Sequence, residues 1–241
     1  MARFHNPTLL FSGGKDSLAT LLRLQPYWST LNVVWTNSGA AHPKTVEYMR
    51  GIAQRVPHFQ ILHGAQPQWI ERHGWPADVV PVQSMPVMHG AEPRPIRFMP
   101  RTACCTHNLW LPVHRYILDT GCTLVITGQR GDEPLRNRAR DAATSVIDGV
   151  TYWSPLHDWS HEQVMRYLQE QGEPLPPFYG EGVEHSIDCW NCTAYLDHNV
   201  KWFERMRTTE PDRWEAVRPI LEDLDRRIRD DSEALRVVIG N

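Results

Sequence analysis

Lysine is nearly absent: among 241 residues only Lys15, Lys44 and Lys201 carry an ammonium, and every other basic side chain is arginine or histidine. Acidic residues outnumber Lys and Arg, 28 against 25, for a formal net charge of −3. That excludes the broad basic field of a chain that coats nucleic acid, although local arginine groups can still hold phosphate bidentately. No apolar run approaches the roughly 20 residues of a membrane span. The first residues also lack the apolar stretch of a signal peptide. The expectation is therefore no membrane and a cytoplasmic, reducing setting. There the five cysteines read as ligands or nucleophiles and not as disulfides.

What is present begins with Leu9-Leu10-Phe11-Ser12-Gly13-Gly14-Lys15-Asp16-Ser17. A short apolar strand ends in a small-residue turn, and Leu18, Leu21 and Leu22 open an amphipathic helix. Two glycines let the backbone turn tightly against an anion, and the helix N-terminus offers N–H groups and a positive dipole end. The G-x-x-x-x-G-K-[ST] spacing of a Walker A loop is missing. Ser-Gly-Gly-x-Asp-Ser resembles instead the pyrophosphate loop of the adenine-nucleotide alpha-hydrolase (PP-loop) families.

Further along, Leu31–Thr36 reads as a second strand ending in the turn Asn37-Ser38-Gly39, 44–56 as a helix, and Phe59–Leu62 as a third strand. This alternation predicts an α/β fold: a doubly wound, mostly parallel, Rossmann-like sheet. Residues 63–100 lose the rhythm, with recurrent prolines, and read as an irregular insertion near the site. A helix is expected over 109–119, with Pro112 in its first turn or kinking it. Thr123–Thr127 is a strand delivering Gly128-Gln129-Arg130-Gly131-Asp132. Thr151–Trp153 is another strand, and Ser160 with Gln163 forms a capping box. The domain is placed at 1–193 and a helical C-terminal extension at 194–241. Trp214, Val217 and Leu221 form a stripe in that extension, either a docking surface or part of its own core.

Four cysteines pair as Cys104-Cys105 and Cys189-x-x-Cys192. Four thiolates suit structural zinc or a [4Fe–4S] cluster, and ligand chemistry alone does not choose. Cys-Cys followed by a distant Cys-x-x-Cys, behind a PP-loop, resembles the cluster-bearing sulfonucleotide (APS/PAPS) reductase family. Pro43-Lys44-Thr45, Thr127–Asp132, Pro155–Trp159 and Ser186–Thr193 match it too. The resemblance implies a [4Fe–4S] cluster on Cys104, Cys105, Cys189 and Cys192, beside an adenine nucleotide.

The chain departs from those reductases in its nucleophile. They act through a C-terminal cysteine, and no cysteine follows Cys192 in this sequence. Cys122 remains, at the start of an apolar strand, as either a packed residue or the attacking thiol. No basic residue follows Cys104-Cys105, where Thr106-His107-Asn108 stands. The intact Ser-Gly-Gly-Lys-Asp-Ser resembles ATP pyrophosphatases. That resemblance gives Lys15 the β/γ-phosphates and Asp16 a share of Mg²⁺. It makes Ser12, Gly13, Gly14 and Ser17 donors to pyrophosphate, and Arg130 a second phosphate clamp. Asn37, Ser38, Gly128 and Asp132 complete the expected nucleotide set. Arg136, Arg138 and Arg140 are either nucleic-acid contacts or a solvated face.

Two activities follow. One is ATP-driven sulfur insertion into DNA, as in phosphorothioation, or into tRNA, with a cysteine desulfurase as donor. The other is sulfonucleotide reduction to sulfite. A homodimer is an open option for either.

Overall fold

A computed structural model describes residues 1, 3–84, 96–133, 142–183 and 185–240. In chain order, β1 (Thr8–Leu10) leads to α1 (Lys15–Arg23), β2 (Asn32–Asn37), α2 (Pro43–Arg55) and β3 (Phe59–His63). Next come α3 (Gln66–His73), β4 (Trp75–Ala77), β5 (Phe98–Pro100), α4 (Arg101–Cys105) and α5 (Leu111–Thr120). The chain then forms β6 (Leu124–Ile126), β7 (Thr144–Ile147), β8 (Val150–Trp153), α6 (His161–Glu170), α7 (Leu196–Thr209) and α8 (Pro211–Ile239).

Six strands form one sheet in the order β3-β2-β1-β6-β8-β7, parallel except for β7 against β8. Successive side chains of a strand face opposite sides, so each face needs its own cover. Leu9, Val33 and Ile126 pack with Leu18 and Leu21 of α1, Met49 and Ile52 of α2, and Val164 and Leu168 of α6. On the other face Val125 and Leu10 meet Val113 and Ile117 of α5. Helices therefore lie on both faces, the doubly wound arrangement. Beyond β1 the strand order runs one way through β2 and β3 and the other way through β6 and β8. The crevice at such a reversal, above the carboxyl ends of the strands, is where ligands bind in open α/β sheets.

Two expectations change. Residues 63–100 are not simply irregular: α3 and the parallel pair β4–β5 occupy the described part. Proline misled the reading because Pro67 sits in the first turn of α3, where its missing N–H costs nothing. Pro76 and Pro100 lie in a pair of only two strands, open on its outer sides. Pro86, Pro93 and Pro95, like Arg136, Arg138 and Arg140, fall outside the described residues.

The helix expected from 109 in fact runs from Arg101 to Thr120, with one widened π turn at Thr106–Trp110. Pro112 has no N–H for the carbonyl of Asn108, which matches the disturbance just before it. That places Cys104-Cys105 inside a helix and not ahead of one. The capping box forms as read, Ser160 Oγ accepting from Gln163 N.

The C-terminal helices share their core with the rest. Trp202 and Met206 of α7 bury against Phe178, Val183 and Ile187, with Trp214 of α8 beside them. Leu224 of α8 packs on Ala77 and Phe98. Of the Trp214, Val217 and Leu221 stripe, Val217 is fully buried and Trp214 packs partly buried on the Trp202 cluster, while Leu221 is half-buried. Arg227 is 3 % exposed, pairs with Asp223 at 2.6 Å and donates to Ile96 O at 3.1 Å.

Beside α7, His185 Nε2 donates to Asn199 Oδ1 at 3.2 Å, and its ring centre lies 3.9 Å from that of His198. Burial, then the neighbouring His198, lowers its pKa from 6.5 to about 4. The folded chain thus holds His185 neutral where the unfolded chain would protonate it. Its stabilising contribution is full above pH 6.5 and is lost as pH falls toward 4. Since the ring is only half-buried, the loss between pH 7.5 and pH 5 is expected to be about 1 kcal/mol. Urea unfolding at both pH values should show a correspondingly shallower decline for His185→Gln. Equal declines would rule the effect out.

Candidate functional site

The loop after β1 and the loop after β6 meet at the strand-order reversal. Gly13 has φ +79°, a left-handed conformation that glycine adopts without strain. Gly14 caps α1. A Cβ on Gly128 would lie 2.6 Å from Ser17 N and 2.7 Å from the Asp16 carbonyl carbon, so the second loop rests directly on the first turn of α1. Gly131 N donates to His157 O at 2.7 Å, fixing the far end of that loop.

This contact builds a line of charge. Lys15, 5 % exposed, donates from Nζ to Asp16 Oδ2 at 2.7 Å. Asp16 Oδ1 faces Arg130 Nε at 3.1 Å, an ion pair without hydrogen-bond alignment. Arg130, 7 % exposed, reaches Asp132 with Nη2 at 3.5 Å, and its backbone N–H donates to Glu133 Oε1 at 3.1 Å. Burial raises the Glu133 pKa, opposed by that hydrogen bond. Arg130 Nη1 is buried with no hydrogen-bond partner among the described residues. An unpaired buried guanidinium nitrogen costs free energy until an acceptor arrives, and an anion at the α1 N-terminus would supply one. Both Asp16 oxygens face cations, Oδ1 without a hydrogen bond, so the carboxylate holds Lys15 and Arg130 together.

Other expected donors are engaged within the loops. Ser17 Oγ donates to Gly14 O at 2.9 Å and Ser12 Oγ to Ser17 Oγ at 3.2 Å, which shapes the turn. Asn37 Oδ1 accepts from Gly39 N at 2.9 Å. Ser38 is fully buried and donates to Asp188 O at 2.9 Å, so it braces the cysteine segment. Tyr179, which sequence reasoning missed, accepts the Lys15 backbone N–H at 3.2 Å. Nothing local marks it, because the contact joins segments far apart in the chain.

Beside Ser12 a cavity of about 270 Å³ opens at the ends of β1 and β2. Leu10, Val34, Trp35, Leu109 and Trp110 make most of its wall, and Asp188 is the one charged side chain in it. A mostly apolar pocket next to an anion seat suits the base and sugar of a nucleotide.

Leu109 also walls a second cavity, lined by Cys104, Cys105, Cys189 and Cys192 with Gln66, Pro76, Arg101 and Asn108. The fold thus brings both cysteine pairs to one place, a helix turn from the first cavity. Among the described residues no group of three or more His, Cys, Asp or Glu side chains could hold a metal ion as it stands. Burial raises all four thiol pKa values, Cys104 to about 11 and Cys192 to about 12. Buried thiols of this kind ionise when a metal takes the thiolate charge, so the donor set fits a thiolate-bound metal group. Asn108 Nδ2 approaches Cys104 Sγ at 3.7 Å as a weak donor to sulfur. Cys122 is elsewhere: 2 % exposed, its Sγ–H donating to Leu124 O at 3.2 Å, it is packed beside β6.

Among the described residues no helix is long and apolar enough to cross a membrane. A sequence profile of the phosphoadenosine phosphosulfate reductase domain matches residues 6–195. The adenosine 5'-phosphosulfate reductase of Burkholderia cepacia is 24% identical over 165 residues, covering 66% of this chain and 58% of that protein. The chain thus spans less than two thirds of that relative. The phosphoadenosine 5'-phosphosulfate reductase of Gloeobacter violaceus is 24% identical over 185 residues, 75% of this chain and 69% of the relative. In fold, the chain is similar to phosphoadenylyl-sulfate (PAPS) reductase from Candida auris, solved as a phosphate complex, with TM-score 0.51 and 17% identity over 74% of this chain and 77% of that one. With its PP-loop on a doubly wound sheet and a profile match across most of its length, this chain belongs to the phosphoadenosine phosphosulfate reductase domain family.

Proposed function

We propose that the chain binds ATP across the crevice between β1 and β6 and cleaves it to activate an acceptor for sulfur insertion. The observation that carries this is the pairing of an intact Lys15–Asp16–Arg130 line with the burial of Cys122. Sulfonucleotide reduction needs a thiolate at the substrate sulfur. Cys122 is packed beside a strand, and the other four thiols share one cavity.

In this reading the adenosine occupies the cavity beside Ser12, and the phosphates lie over the α1 N-terminus. An acceptor oxygen attacks the α-phosphorus as the bond to the β-phosphate bridging oxygen breaks. Pyrophosphate leaves with that electron pair, and Lys15 and Arg130 stabilise its growing charge. The adenylylated oxygen then departs with AMP when sulfur takes its place. The terminal sulfur of a cysteine desulfurase persulfide makes that displacement. An external thiol then reduces the S–S bond to the donor, giving up two electrons and freeing the thiolated acceptor, which is DNA or tRNA. Any Mg²⁺ arrives with the nucleotide. Cys104, Cys105, Cys189 and Cys192 would hold a [4Fe–4S] cluster, which supplies one-electron chemistry and a seat for sulfur.

A second reading, reduction of APS or PAPS to sulfite with an external thiol, is favoured by the names of the two relatives. Anaerobically purified protein given ATP, Mg²⁺ and acceptor separates the two. AMP and pyrophosphate in equal amounts support sulfur insertion. Sulfite from APS or PAPS with thioredoxin, and no pyrophosphate from ATP, overturns it.

A further inference from the structure

Among the described residues, the wall of the four-cysteine cavity contains a single cation, Arg101. Arg101 begins α4 and Cys105 ends it, so the two side chains leave the same helix face one turn apart. The guanidinium is held on two sides. Nη1 donates to Asp78 Oδ1 at 2.7 Å, and the group lies 3.9 Å from the centre of the Tyr195 ring.

Asp78 has further partners of its own. It accepts the backbone N–H of Tyr195 at 3.1 Å and of Leu196 at 3.0 Å, at the start of α7. These residues follow closely on Cys192, and Tyr195 has φ +53°, an uncommon conformation for a side chain of its size. One guanidinium therefore ties the helix of the first cysteine pair to the segment of the second. Asp78, satisfied by two N–H groups at a helix N-terminus, does not line the cavity, whereas Arg101 does.

We infer that Arg101 is a positioning residue for the iron–sulfur group of the four cysteines, setting its retention and reduction potential, with Asp78 and Tyr195 fixing its place. The inference rests on the four-cysteine reading above. A [4Fe–4S]²⁺ core with four thiolates is a net anion in a poorly solvated site, and each added electron makes it more so. A fixed positive charge in the wall favours both the loaded state and its reduced form.

The test uses the full chain as wild type, Arg101→Gln, Arg101→Lys and Asp78→Asn, each loaded anaerobically with ferrous iron and sulfide. Iron, sulfide and zinc per chain, the rate of visible-absorbance loss to a chelator, the midpoint potential and thermal stability are measured. Arg101→Gln is expected to lose iron about tenfold faster or more, the range seen when a residue behind a metal ligand is removed. Its potential should move to more negative values. Arg101→Lys should restore most of the potential, and Asp78→Asn should speed iron loss with a smaller shift. An unchanged potential in Arg101→Gln, whether or not thermal stability falls, reduces Arg101 to a structural role and overturns the inference. Iron absent from the wild type, or zinc in its place, overturns the four-cysteine reading itself and is recognised because the unsubstituted chain fails.

Discussion

Lys15→Ala is expected to lower the rate of AMP and pyrophosphate formation from ATP by about 10²–10³-fold, the usual cost of removing one preorganised group facing developing charge. The size follows from where the ammonium lies. Lys15 is the first residue of α1, buried, and held by Asp16. Lys15 and Arg130 are balanced by Asp16 and Asp132, so what the line offers an anion at the helix N-terminus is the buried Arg130 Nη1, without a hydrogen-bond partner among the described residues, beside the Lys15 ammonium. A phosphate arriving there needs no large rearrangement to meet it. Initial rates over a range of ATP concentrations check the point. A loss in kcat, with thermal stability close to wild type, assigns Lys15 to the charge of the transition state. A variant with wild-type rates removes Lys15 from that role, and with it the proposed clamp.

Gly128→Ala should destabilise the chain by about 3 kcal/mol, the upper part of the range for overfilling a packed site. For a chain of this size that is a fall in Tm of roughly 6–12 °C. The added Cβ would meet Ser17 N at 2.6 Å, Asp16 C at 2.7 Å and Asp16 O at 2.8 Å. All three are backbone atoms of the first turn of α1, and no side chain can swing aside. The loop after β6 must therefore lift from α1, which carries Arg130 away from Asp16. Nucleotide binding should weaken along with stability. Gly149→Ala, whose Cβ would meet nothing within 4 Å although its φ is +79°, is the control for backbone strain without a clash. Equal effects at the two positions would sink the claim that close packing of the two loops organises the site.

The parts of the molecule legible along the chain are those made by near neighbours. Ser12–Ser17 forms its turn because two glycines and a helix start are contiguous. Ser160 and Gln163 form their box within one turn. The strand–helix alternation through β3 is a matter of period. Proline defeated the reading of 63–100, because its cost depends on whether the missing N–H had a partner, and that depends on neighbours from elsewhere in the fold.

The site divides in the same way. Residue types and spacing paired the cysteines and singled out Lys15, Asp16 and Arg130. Where the hydroxyls of Ser17 and Ser38 point, and how Tyr179, Asp188 and Arg101 meet these groups, depends on contacts between distant segments that no local pattern encodes. Gly128 shows the boundary most clearly. The sequence places it after a strand, but only the packed loops show that a single added carbon there would strike the helix holding Lys15. Local chemistry sets which groups can bind phosphate or metal. Their distances and partners are set by tertiary packing, because burial and ion pairing are properties of neighbours and not of position in the chain.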